Sequence, residues 1–130
     1  MTSWSAARGY AAMMWIVVLF QVALFFGAPW GDYTQGGADS GSLEMTGRIT
    51  ALVSIVVLLV MIWTVIGLHG FGPFEALSDT WLKILKWCTV AYSFIAIIAN
   101  AITPSANEKM IWLPFSAVAF GLLMKAIRLD

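Results

Sequence analysis

The chain has 130 residues, of which 61% are hydrophobic and 11% are charged, and its formal net charge at pH 7 is zero. Soluble domains are about 45–50% apolar and about 25% charged, so this composition, with a mean hydropathy of +0.87, indicates an integral membrane protein. The zero net charge and the lack of a basic cluster argue against a nucleic-acid partner.

Four long apolar runs predict four transmembrane helices, over residues 10–28, 49–68, 82–102 and 110–127. Each run is close to the roughly 20 residues that cross about 30 Å of hydrocarbon. The first run is longer than the core of a signal peptide, about 7–15 residues, so we interpret it as a retained helix. A β-barrel is disfavoured because the runs are continuous rather than alternating. Residues 1–130 are therefore predicted to form one all-α domain, an antiparallel four-helix bundle.

The basic residues predict the orientation of the bundle. Cytoplasmic loops carry an excess of Lys and Arg, and the end that holds both termini has more of them than the opposite, outer end. The first group is Arg8, Lys83, Lys86, Lys125 and Arg128, and the second is Arg48 and Lys109. Both termini are therefore predicted to be cytoplasmic, in a multi-pass protein whose surroundings include membrane lipids.

The connections differ in length. A polar outer loop of about twenty residues, 29–48, joins helices 1 and 2. On the inner side, Pro73 and the apolar spacing that follows predict a short interfacial helix at about 73–80. The second outer connection, 103–109, is short and makes helices 3 and 4 antiparallel neighbours. Pro114 predicts a kink in helix 4 or the start of its regular part.

Three polar residues inside the predicted spans are candidates for a function. Gln21 is the deepest strongly polar group in helix 1, and an amide in hydrocarbon costs several kcal/mol unless it is paired. It should point into the bundle, where an interhelical hydrogen bond is favoured over a substrate contact. Ser54 and Ser93 belong to stripes of small and polar residues, for which helix packing is favoured over a ligand path.

Charged, amide and aromatic side chains gather at the outer end, and we predict a ligand- or partner-binding site there. An unpaired charge on Arg48, at the start of helix 2, would cost free energy at the membrane boundary, so Arg48 is expected to pair with Glu108 or Asp32. In a functional interpretation, the loop folds over a shallow outer pocket whose walls are aromatic side chains. The predicted residues are Trp30, Asp32, Tyr33, Arg48, Asn100, Glu108 and Trp112.

The sequence contains few residues that could form a catalytic or metal-binding site. Cys88 is the single cysteine, which excludes an intrachain disulfide and a multi-cysteine metal site. His69, the only histidine, follows helix 2 at a glycine-rich turn, where capping is favoured over metal or haem ligation. No nucleophile–base pair, metalloprotease motif or phosphate loop is present. We predict no catalytic residues, no metal and no cofactor.

Several outer-end residues together carry a resemblance: the stretch 28–31, the pair Gly36-Gly37, Arg48, Asn100, Glu108, Trp112 and Pro114. This pattern resembles a group of small bacterial four-helix membrane proteins that have no established activity. The resemblance implies only that the outer rim is the shared part. The chain does not look like small multidrug transporters, whose first helix carries a glutamate, since here that helix has Gln21 and no acid. It also lacks the cysteines of vitamin K epoxide reductase-like proteins.

Two hypotheses of function follow. The first is a non-enzymatic protein of the bacterial inner membrane, an accessory or binding subunit whose outer loop docks a protein partner, a lipid headgroup or a small ligand. The second is a small oligomeric transporter or channel whose path includes Gln21, Ser54, Ser93 and Asn100. The second lacks an intramembrane ionisable group for coupling. An enzyme is the least supported class.

Overall fold

The computed structural model describes residues 1–129 and is all-α. It contains four long helices, each long and apolar enough to cross a membrane, and no strand among the described residues. They are α1 (Ser3–Phe25), α2 (Met45–Gly67), α3 (Asp79–Ile102) and α4 (Ala106–Ala126). The predicted fold class, a bundle of four candidate transmembrane helices, is confirmed.

Helix α1 begins well before the predicted residue 10 because a capping motif lies ahead of the apolar run. The Thr2 side chain accepts a hydrogen bond from the backbone N–H of Ser5, and the Ser5 hydroxyl accepts one from the backbone N–H of Thr2. This reciprocal pair satisfies donors that a helix N-terminus otherwise leaves free. The helix ends at Phe25, followed by Gly27 with a φ of +101°, the left-handed conformation that commonly closes a helix.

The connection between α2 and α3 differs from the predicted interfacial helix at 73–80. Only Pro73–Ala76 is helical, as a single 3₁₀ turn. Leu77 is extended, and the side chain of Ser78 accepts from the N–H of Trp81 and so caps α3. The predicted periodicity therefore belongs partly to this turn and partly to the first turn of α3.

Helix α4 follows α3 after three residues. Its N-cap is Ser105, whose hydroxyl accepts from the N–H of Glu108. Pro114 lies inside the helix, which continues as one element to Ala126. Since proline has no N–H, the helix lacks one backbone hydrogen bond at this point.

The four helices are arranged in a ring. Helix α1 packs against α2 and α4, and α3 packs against α4 and α2, so α1 and α3 lie diagonally opposite each other. We call the end with residues 26–44 and 103–105 the loop end, and the end with both termini and residues 68–78 the terminal end. The cytoplasmic placement of the terminal end stays a prediction.

The core of the bundle lies mainly toward the terminal end. Small residues on α1 allow this helix to pack closely against α2 and α4. Tyr10, Ile62 and Leu123 are completely buried in this core. Helix α3 contributes no fully buried residue to this core. A separate, smaller apolar cluster of Leu24, Leu43 and Ala51 lies at the loop end.

Candidate functional site

The loop between α1 and α2 folds back on itself around Gly31. Two short 3₁₀ turns, Gly31–Tyr33 and Gln35–Gly37, form its centre. The N–H of Gly31 donates to the carbonyl of Gly41 at 2.8 Å. A Cβ atom at position 31 would lie 1.9 Å from the backbone oxygen of Asp39, so only glycine fits at this crossing of the chain.

Three hydrogen bonds attach this loop to the start of α4. The indole N–H of Trp112 donates to the carbonyl of Tyr33 at 2.8 Å, and the N–H of Gly36 donates to Glu108 Oε2 at 2.8 Å. The hydroxyl of Ser105 donates to the carbonyl of Asp32. Since charge-assisted bonds are stronger than neutral ones, the bond to Glu108 fixes the second 3₁₀ turn over the bundle.

A second set of contacts attaches the loop to the N-terminus of α2. Gln35 Nε2 donates to the carbonyl of Gly47 at 2.9 Å, and the N–H of Glu44 donates to Asp39 Oδ2 at 3.2 Å. A carboxylate at a helix N-terminus is favoured by the helix dipole. The loop is thus held by the beginnings of two helices.

Arg48 does not form the ion pair that was expected with Glu108 or Asp32. Its Nε donates to the carbonyl of Leu43 at 2.9 Å, and its guanidinium lies beside Gly27, at the C-terminus of α1. The negative end of the α1 dipole favours a cation at this position. Arg48 therefore binds the loop backbone at Leu43 beside the end of α1, and the predicted carboxylate partner is wrong.

Beneath the loop lies a cavity of about 220 Å³ in the centre of the ring. All four helices and the loop contribute to its lining. Between Gln21 and Tyr10 it extends about 16 Å along α1, at about 1.5 Å per residue. The lining residues are Tyr10, Met14, Val17, Phe20, Gln21, Tyr33, Thr34, Ser54, Leu58, Met61, Tyr92, Ser93, Ala96, Asn100, Glu108, Trp112, Phe115, Ser116 and Ala119.

A hydrogen bond across the diagonal closes the floor of the cavity. The hydroxyls of Tyr10 and Ser93 lie 3.2 Å apart and join α1 to α3, which lie diagonally opposite each other in the ring. Tyr10 is 0% exposed and belongs to the apolar core that fills the bundle toward the terminal end. The cavity is therefore closed on that side.

Polar atoms line the cavity at several depths. Asn100 Nδ2 lies 3.4 Å from both the carbonyl of Trp112 and the hydroxyl of Ser116, so it joins α3 to α4. The hydroxyl of Ser54 donates to the carbonyl of Thr50 in its own helix. Gln21 Oε1 is buried and has no hydrogen-bond partner, so the interhelical bond expected for this oxygen is not formed.

Aromatic rings form the wall of the cavity near the loop. The ring of Trp112 meets Phe20 at 4.9 Å and Phe115 at 5.2 Å, both edge to face. Phe20 also stacks on Trp30 with a centroid distance of 5.7 Å. Such pairs contribute about 0.5–1.5 kcal/mol beyond their area burial, so this wall is preorganised.

The structure brings together most of the residues singled out from the sequence. Trp30, Asp32 and Arg48 lie outside the cavity, at the rim and in the loop contacts. Those that line the cavity are Gln21, Tyr33, Ser54, Ser93, Asn100, Glu108 and Trp112.

Sequence reasoning identified Tyr33 but missed the other two tyrosines of the cavity, Tyr10 and Tyr92. Tyr10, Tyr33 and Tyr92, the three tyrosines of the chain, all line it. Tyr10 was assigned to the start of the first apolar run and Tyr92 was overlooked. The available signal was that each places a hydroxyl within a hydrophobic segment, where a partner is needed.

His69 and Cys88 lie away from the cavity. His69 Nε2 lies 2.9 Å from the carbonyl of Ala126, in the last turn of α4, and its ring meets Trp4 at 5.4 Å. This contact agrees with the predicted capping role. Cys88 is exposed on α3. Within residues 1–129 no three His, Cys, Asp or Glu side chains are grouped in a way that could hold a metal ion.

No protein-family model matches the chain, and no curated protein and no solved structure is significantly similar to it. Its class therefore follows from its own fold: it is a multi-pass, all-α membrane protein built as a four-helix bundle. The resemblance of its loop-end pattern to small bacterial four-helix membrane proteins stays a prediction.

Proposed function

We propose that the protein is a non-enzymatic binding protein of the bacterial inner membrane, and that it holds a small ligand in the central cavity under its loop. The observation that carries this proposal is the cavity itself, about 220 Å³ lined by polar groups from four helices, with a buried acceptor, Gln21 Oε1, left without a partner. An unsatisfied buried acceptor costs about 1–3 kcal/mol. A ligand that donates a hydrogen bond to this oxygen offsets that cost.

The size of the cavity supports a compact occupant. A cavity of about 150 Å³ holds benzene, and drug-sized ligands need roughly 300–1,000 Å³. The ligand is therefore a small molecule, and a lipid chain or a protein segment would not fit inside. Protein partners, lipid headgroups or a second copy of the chain would instead contact the rim, where Trp30 is 42% exposed.

Blocking the cavity tests the proposal. Ala96 lines it, whereas Ala99 lies on the same helix and faces outward. A panel of small organic molecules is screened by thermal unfolding of the purified protein in detergent. We expect some compounds to raise the melting temperature of wild type and of Ala99→Phe but not of Ala96→Phe, because the new ring fills the space. If no compound shows that pattern, ligand binding in the cavity is refuted.

The alternative function is a small oligomeric transporter. It is favoured by one observation: all four residues proposed for a transport path, Gln21, Ser54, Ser93 and Asn100, line the same cavity. Transport would require the floor at Tyr10 and Ser93 to open. Uptake of a cavity ligand into proteoliposomes separates the two functions, because a binding protein equilibrates no substrate across the bilayer.

A further inference from the structure

The cavity has an uneven distribution of charge and of hydrogen-bonding groups. Among the described residues that line it, Glu108 is the only charged one, and no Lys, Arg or His takes part. Arg48, the arginine of the loop contacts, is bound to the carbonyl of Leu43 and lies beside Gly27. An anionic ligand would therefore find a carboxylate and no cation to balance it.

The carboxylate and the aromatic wall lie on one face of α4. Glu108 and Trp112 are four residues apart, which places them one turn apart on the same side of a helix, and Phe115 continues this face along the cavity. Tyr33 reaches the same region from the loop. A carboxylate beside Trp and Tyr rings is the surrounding that attracts an organic cation, because the negative ring faces add to the charge.

Glu108 keeps part of its capacity to bind. Its Oε2 accepts from the N–H of Gly36, and a carboxylate has about four lone-pair sites over two oxygens. Deeper in the cavity, Gln21 Oε1 is a second acceptor without a donor. A ligand with several N–H donors can therefore satisfy both acceptors.

We infer that the ligand is a compact organic cation, a protonated amine on a small apolar body, with its ammonium group between Glu108 and the rings of Trp112 and Tyr33. This inference rests on the proposed function, since it names the chemical class that the cavity takes. The apolar body of the ligand lies against Phe20 and Phe115, in the part of the cavity below the loop.

Three aromatic probes of nearly equal size test the charge preference: 2-phenylethylamine, 2-phenylethanol and phenylacetate. Binding is measured by calorimetric titration of the detergent-solubilised wild type. The amine is expected to bind at least about ten-fold more tightly than the alcohol, a difference of about 1.4 kcal/mol, and the acid more weakly than both. This series needs no variant, so it stays informative even if a substitution fails to fold.

Glu108→Gln then removes the charge but keeps an oxygen that can accept from Gly36, so the loop should remain in place. We expect this variant to bind the amine and the alcohol equally. Glu75→Gln is the matched control, because Glu75 is exposed in the 3₁₀ turn at the terminal end, and it should keep the full preference for the amine.

The other outcomes refute either the organic cation alone or the proposed function together with it. Equal binding of amine and alcohol to wild type, abolished by Ala96→Phe, would leave the cavity as a ligand site and refute the cation. Tighter binding of phenylacetate would refute it as well. If none of the probes binds while other compounds depend on Ala96, the amine class is wrong. If no compound at all binds in a way that Ala96→Phe abolishes, the cavity holds water only and the proposed function fails together with this inference.

Discussion

The two halves of the bundle are built differently. Toward the terminal end, alanines of α1 and α4 are completely buried, among them Ala6, Ala7 and Ala126, and small side chains let helices approach closely. Toward the loop end, α4 places Glu108, Trp112 and Ser116 in the interior. These larger and polar groups line the cavity, whereas the apolar core fills the bundle toward the terminal end. The comparison indicates that stability depends mainly on the terminal half.

The largest effect is expected from a cavity made in the filled half. Leu123 is 0% exposed, and Leu123→Ala should lower the free energy of unfolding by about 2–5 kcal/mol, because the packing contacts of the lost atoms are not replaced. The measurement is unfolding by SDS in mixed micelles. Leu19→Ala, at a residue that is 66% exposed on α1, is the control and should cost far less. Equal losses would mean that the burial of Leu123 in the terminal half does not contribute to stability.

A smaller effect is expected in the loop. Gly31→Ala should cost about 1–3 kcal/mol, the usual range for overpacking, because the new Cβ meets the backbone of Asp39. The measurement is hydrogen exchange of the backbone amides at 31–37, which should be faster in Gly31→Ala than in wild type. Gly121→Ala is the control, since a Cβ there has open space. Retained protection in Gly31→Ala would refute the crossing described for this loop.

The smallest expected change in the free energy of unfolding is an increase. Gln21→Met removes the unpartnered acceptor and should raise the free energy of unfolding by about 1 kcal/mol, while weakening binding of any ligand that donates to it. The chain has one other glutamine, Gln35, which donates to the carbonyl of Gly47. Gln35→Met should therefore be destabilising in the same SDS unfolding assay. Destabilisation by Gln21→Met would show that its amide is satisfied in the folded protein.

The number of helices and their order could be predicted from the sequence because length and hydropathy determine both. The start of α1 could not, since residues 3–9 include polar positions and the helix is set there by the cap of Thr2 and Ser5. The predicted carboxylate partner of Arg48 was also wrong, because the actual acceptor is the backbone carbonyl of Leu43. Backbone acceptors have no signature in the residue types.

Several polar residues of the candidate site could be predicted, but the cavity could not. Polar side chains in apolar runs pointed to Gln21, Ser54 and Ser93. A cavity, however, depends on how far four helices stand apart, which no single run encodes. The diagonal bond from Tyr10 to Ser93 joins residues that are distant in sequence, and so it lay beyond periodicity arguments.

The attachment of the loop to α4 has a mechanical consequence. Trp112 and Glu108 hold Tyr33 and Gly36 from adjacent turns of one helix. At the side-chain radius of a helix, about 5–6 Å, a rotation of about 20° about the helix axis displaces these groups by about 2 Å. That is enough to break both hydrogen bonds at once, so the loop locks the angular setting of α4.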